Sequence, residues 1–73
     1  MSTTEIHSEV TGRVWKIVLD PGAKVDEGDP ILILESMKME IPVEAPCKGI
    51  VTEICVAEGD AIVEDQIIAI LEN

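Results

Sequence analysis

The chain repeats itself. Shifted by 37 positions, it matches without a gap from Gly12 to Glu35: Gly12 falls on Gly49 (49 − 12 = 37), Gly22 on Gly59 and Glu27 on Glu64. Val14 and Ile17 fall on Val51 and Ile54, and Ile31, Ile33, Leu34 and Glu35 on Ile68, Ile70, Leu71 and Glu72. Two copies of one pattern must build the same supersecondary unit, so the repeat fixes the architecture before any single side chain is interpreted. Between the copies lies Glu35-Ser36-Met37-Lys38-Met39-Glu40, a joint carrying a lysine.

Each copy reads as short strands. Residues 1–4 form a frayed terminus, and Glu5 to Val10 alternates polar and apolar as a first strand. Val14 to Leu19 is a second strand, closed by Asp20-Pro21-Gly22, where proline presets φ and glycine accepts a positive φ. After a short strand at Val25 and the Glu27-Gly28-Asp29-Pro30 turn, Ile31-Leu32-Ile33-Leu34 is apolar on both faces and therefore buried. Met39 to Val43 is the return strand of a hairpin, with Pro42 at an edge or non-bonded position because it cannot donate to a ladder. The second copy repeats the programme in Ile50 to Val56, Ala61 to Val63 and Ile67 to Leu71. No window sustains a 3.6-residue apolar period, so the fold class is all-β, a sandwich or flattened barrel. Residues 1–73 are expected to form one domain.

Composition narrows the function. The core must come from Val, Ile and Leu, since Trp15 is the only aromatic residue. A formal charge of −10 argues against nucleic acid and anionic membrane surfaces, and for solubility or steering toward a basic partner. No apolar run approaches the roughly 18 residues of a membrane span, and the N-terminus lacks the basic and apolar regions of a signal peptide. A cytoplasmic chain, monomeric by itself, is expected. Cys47 and Cys55 fit neither a disulfide framework nor a zinc pattern, and Cys55, aligned with Val18, reads as a small buried hydrophobe. His7, the only histidine, lacks a nucleophile or metal partner and reads as a partly exposed structural residue. No carboxylate run matches a calcium loop, and Asp20, Glu58 and Asp60 read as solvated turn formers. No catalytic residue and no metal site are expected.

Lys38 stands apart by position. A lysine amine attacks only when neutral, and an ordinary one is nearly all protonated at neutral pH. Its acylation therefore needs an enzyme that brings an activated acid and a base, and the chain itself must supply access and placement. A hairpin tip supplies both. Exposed methionines on either side would form an adaptable contact surface.

This constellation resembles the biotinyl/lipoyl attachment domain family over roughly Glu5 to Glu72. The resemblance rests on Met37-Lys38-Met39 at the centre of a gapless β repeat, followed by Ile41-Pro42-Val43-Glu44-Ala45-Pro46, Gly49 and Val51. It implies the barrel-sandwich hybrid, two small antiparallel sheets related by a quasi-twofold axis, here in a stand-alone form without the thumb loop some biotin carriers insert. It further implies biotin joined to Lys38 by a biotin protein ligase, with Met37 and Met39 as flanking recognition residues and Glu35, Ser36 and Glu40 as the hairpin surround. The implied partners are that ligase, a biotin carboxylase and a carboxyltransferase, and the implied role is a carrier, not an enzyme. Lipoate on Lys38 is the alternative within the family. Lipoyl domains usually have an acidic residue before the lysine; Met37 holds that place here and favours biotin. An unmodified β adaptor that binds carboxylase subunits is the alternative outside it.

The joint also breaks its own turn chemistry. If Met37 and Lys38 are the central residues of a two-residue hairpin turn, a type I′ geometry demands positive φ at both, where Asn and Gly are the usual occupants. Positive φ at Met37 and Lys38 is therefore expected, held by the surrounding sheet because function fixes the side chains.

Overall fold

The computed structural model describes residues 2–73. Eight strands follow in order: β1 (Thr3–His7), β2 (Gly12–Ile17), β3 (Lys24–Val25), β4 (Pro30–Ser36), β5 (Met39–Glu44), β6 (Gly49–Ile54), β7 (Ala61–Ile62) and β8 (Ile67–Glu72). They form two four-stranded antiparallel sheets, ordered β1-β8-β6-β3 and β5-β4-β2-β7. Adding 37 to each strand of the first copy carries β2 onto β6 (12 + 37 = 49, 17 + 37 = 54) and β3 onto β7 (24 + 37 = 61, 25 + 37 = 62). It likewise carries β1 onto β5 and β4 onto β8, so one sheet order becomes the other. The quasi-twofold relation expected from sequence is thus built into the strand pairing, and each sheet contains strands of both copies.

The symmetry extends to the irregularities. The β2–β4 register shifts between Val14 and Lys16, and the β6–β8 register between Val51 and Glu53, again 37 apart (51 − 14 = 37). A bulge of this kind bends and twists its strand, which lets four-stranded sheets curl around a small core. That core is filled by matched positions: Val14 with Val51, Val25 with Ile62, Ile31 with Ile68, Leu34 with Leu71, and Leu32 with the much smaller Ala69. Leu32 and Ala69, both fully buried, place bulk asymmetrically in an otherwise matched aliphatic core. Ser8, the buried polar residue among those described, takes the place of Ala45 in the other copy (45 − 8 = 37), and its hydroxyl donates to the Val10 carbonyl at 2.6 Å.

Several sequence expectations shift. Thr3 and Thr4 belong to β1, paired with Glu72 and Leu71, and the Ser2 N–H donates to the Asn73 carbonyl at 2.9 Å, so these residues are not frayed. Met1 lies outside the described residues. The strand expected through Val10 ends at His7, because the chain from Ser8 turns onto the β7–β8 connection through Ser8 N–H to the Gln66 carbonyl at 2.9 Å. The second strand and its copy end at Ile17 and Ile54 instead of Leu19 and Val56. Cys55, just past the end of β6, is exposed and not a buried hydrophobe, although its N–H still donates to the Ile68 carbonyl at 2.8 Å; its counterpart Val18 is 44% exposed as well. Pro42 sits on β5, an outermost strand, as the missing N–H requires. No helix of the described residues is long and apolar enough to cross a membrane.

Candidate functional site

The hairpin β4–β5 carries the site. Its register pairs Leu34 with Ile41, Glu35 with Glu40 and Ser36 with Met39, which leaves Met37 and Lys38 as the two residues of the turn. Leu34 anchors the hairpin in the core with no exposed surface, and β4 is flanked by β5 on one side and β2 on the other. The hairpin is thus the end of a central strand, and its tip is placed by the sheet. Met37 has φ 51° and Lys38 φ 66°, so both lie in the left-handed region. Backbone in that region costs roughly 1–3 kcal/mol per non-glycine residue, and here it is over-determined by six register pairs down the hairpin. The strained turn inferred from the absence of Asn and Gly is present.

What the turn achieves is exposure. Met37 is 92% and Met39 64% exposed, and Lys38 lies between them in solvent. Neither methionine fills a core gap. Below the tip, Glu35 and Glu40 face each other in register, and Arg13 on β2 is the partner of Glu35 on its other side. Like charges directly opposite are unfavourable. The row therefore presents two carboxylates and a cation on the sheet surface below the lysine.

Ser36 is half-buried, and its hydroxyl donates to the Thr11 carbonyl at 2.9 Å. Gly12, next in the chain, runs so close to β4 that a Cβ there would meet the Glu35 carbonyl oxygen at 2.5 Å. The glycine repeat pointed to Gly12, since Gly49 makes the same approach to Glu72 at 2.6 Å. Thr11 gave no such signal, because its counterpart is Lys48 (48 − 11 = 37). Elsewhere, His7 is exposed near the end of β1. Asp60 caps its own turn by accepting from the Ala57 N–H at 2.9 Å, and Glu58 accepts from the Ile17 N–H at 3.1 Å. Among the described residues no three His, Cys, Asp or Glu side chains are grouped to hold a metal ion. The Cys55 thiol is pushed above its ordinary range by partial burial first and by the carboxylates of Glu53 and Glu5 next.

Comparison with known proteins places this geometry. A family model described as biotin-requiring enzyme matches residues 2–71. The biotinylated protein TB7.3 homolog of Mycobacterium leprae is 39% identical over 67 residues, which cover 92% of this chain and 94% of that protein. The biotin/lipoyl attachment protein of Bacillus subtilis is 40% identical over 65 residues, 89% of each chain. Among solved structures, Kluyveromyces lactis urea carboxylase superimposes with a TM-score of 0.93 at 35% identity, over 99% of this chain and 6% of that much longer one.

Proposed function

This chain belongs to the biotin-requiring enzyme family, as an attachment domain of the carrier type and not a catalytic one, and we propose that biotin is joined to Nζ of Lys38. The observation that carries this is a lysine held in solvent at the end of a core-anchored hairpin, between two exposed methionines. In the proposed reaction a biotin protein ligase uses ATP to make biotinyl-AMP. The neutral Lys38 amine attacks the acyl carbon, the carbon–oxygen bond of the mixed anhydride breaks, AMP leaves with the bond electrons, and the proton lost from nitrogen passes to a base of the ligase as the amide forms. The chain's contribution is placement: a fixed tip, an unobstructed amine, and a flexible thioether surface for the enzyme to grip.

Once biotinylated, the domain would shuttle carboxybiotin from a biotin carboxylase to a carboxyltransferase. The lysine stem and biotin tail let the reactive ring reach two sites while tethering keeps its effective concentration near the millimolar range. The acidic surface keeps such a carrier soluble and steers it toward basic partner surfaces. Residues 1–73 would act as one domain, monomeric by itself, in the cytoplasm. Lipoate on Lys38 is the second reading, favoured by the name of the Bacillus relative, whereas Met37 in place of an acidic residue favours biotin. An unmodified adaptor would use the same surface without a cofactor.

Intact-mass analysis after incubation with ATP and ligase separates the three. One biotin adduct per chain with biotin protein ligase, and none with lipoate and its ligase, is the expected result. A lipoyl adduct alone would favour the second reading, and no adduct with either would favour the adaptor.

A further inference from the structure

The quasi-twofold symmetry breaks at the end of the molecule that bears Lys38, and Thr11 is at the centre of the break. Thr11 lies in the connection from β1 to β2 and accepts two hydrogen bonds. Its carbonyl accepts from the Ser36 hydroxyl at 2.9 Å, and its Oγ1 accepts from the Glu64 N–H at 3.1 Å. Ser36 immediately precedes the strained turn. Glu64 lies in the connection from β7 to β8, beside Asp65, whose φ is 71°. In the other copy Lys48 stands for Thr11 and Asn73 for Ser36 (73 − 36 = 37), and the Asn73 amide donates instead to Cys47 Sγ at 3.7 Å. A lysine ammonium has no acceptor to offer an N–H. Among the described residues neither Thr11 bond has a counterpart at the opposite end.

The segment holding Thr11 is itself fixed. Buried Ser8 accepts from the Val10 N–H at 3.2 Å and donates to the Val10 carbonyl at 2.6 Å. Its backbone grips the same β7–β8 connection, through Ser8 N–H to the Gln66 carbonyl at 2.9 Å and Asp65 N–H to the Ser8 carbonyl at 2.8 Å. With Glu64 on Thr11, that connection holds residues 8–11 at both ends. The base of the strained hairpin end therefore rests on a braced platform.

We infer that Thr11 is a positioning residue for Lys38, bracing the hairpin end through Ser36 so that the amine is presented in a narrow range of places. This rests on Lys38 being the acylated residue. Acyl transfer requires the amine within about 3–3.5 Å of the activated carbon, and a hairpin end that wanders must be ordered when the ligase docks, which weakens productive binding.

Thr11→Val keeps the side-chain shape and the carbonyl that accepts from Ser36 but removes Oγ1, and with it the tie of that segment to the Glu64 N–H, whereas Thr11→Ser keeps both acceptors. With purified biotin protein ligase, biotin and ATP, Thr11→Val should lower kcat/KM for biotinylation about 3- to 10-fold, mainly through KM, the scale of one ordinary hydrogen bond. Amide exchange at Met37 to Met39 should quicken in the same variant. Thr11→Ser should stay within about twofold of wild type, because its hydroxyl still accepts. Acylation of Lys38 by a small activated ester, which needs no docking, should be the same in all three. A Val variant biotinylated at the wild-type kcat/KM overturns the role of Thr11, as does a loss that Ser shares or that the small ester reproduces. A wild-type chain that takes up no biotin overturns the assignment of Lys38 itself.

Discussion

Asp65 occupies the place that glycine holds in the other copy: Gly28 has φ 90° and Asp65 φ 71°, 37 positions apart. The left-handed region costs an L-residue about 1–2 kcal/mol, and glycine's greater unfolded-state freedom returns about 0.5–1. Asp65→Gly should therefore stabilise the protein by about 0.5–1 kcal/mol, seen as a rise of a few degrees in the thermal midpoint; an unchanged or lower midpoint would show that the Asp65 side chain contributes to the fold. Met37 and Lys38 bear the same cost, as the proposed attachment of biotin at this tip would require. That strain was legible in sequence, since a two-residue hairpin favours the type I′ turn, whose positive φ is costly where neither Asn nor Gly is present. The exposure of Cys55 was not, because its alignment with Val18 transferred a mistaken burial from one copy to the other. With its pKa raised by partial burial and by Glu53 and Glu5, Cys55 holds less thiolate at neutral pH than an ordinary cysteine. Its alkylation by iodoacetamide should be slower than that of a free thiol at pH 7 and should climb with pH into the alkaline range, and Glu53→Gln should speed it. Fast labelling at pH 7 would contradict this.

The element that matters is the β4–β5 hairpin, and the side chains at its tip face outward. Replacing Met37 and Met39 together by Leu should move stability by no more than about 0.5 kcal/mol, as surface changes usually do, while altering ligase kinetics. A large loss of stability with normal biotinylation would show that the methionines support the fold. Gly12 and Gly49 give a sharper comparison, because a Cβ at either would press on a backbone carbonyl at 2.5 or 2.6 Å. Gly12→Ala and Gly49→Ala should each destabilise by about 1–3 kcal/mol, the usual cost of overpacking. Only Gly12→Ala, beside the base of the hairpin, should also slow biotinylation; equal slowing by both would break the link between β2 placement and the tip. Strand existence was readable from alternation and turn residues, but ends were not. Thr3 and Thr4 carry no apolar signal and join β1 only because β8 supplies a partner. The bulges at Val14/Lys16 and Val51/Glu53 are also invisible to alternation, since they depend on how two strands meet.

At the scale of the whole molecule, the repeat did most of the work. Two copies related by one shift exchange places between two sheets, enclose a core without contribution from buried aromatic side chains, and leave a single joint between them. That joint turns the first copy into the second through Met37-Lys38. A largely symmetric scaffold thus presents an asymmetric tip, where Lys38 projects between two exposed thioethers from a chain of net charge −10. The Thr11 brace stayed hidden because it is a tertiary contact, made across 25 residues to Ser36 and 53 to Glu64. The central claim is that Lys38 alone carries biotin, and peptide mapping of wild type and Lys38→Arg after treatment with biotin protein ligase, biotin and ATP tests it directly. Wild type should carry one biotin, on Lys38, and the folded Lys38→Arg variant none; biotin on Lys16, Lys24 or Lys48, or retained by Lys38→Arg, would contradict it.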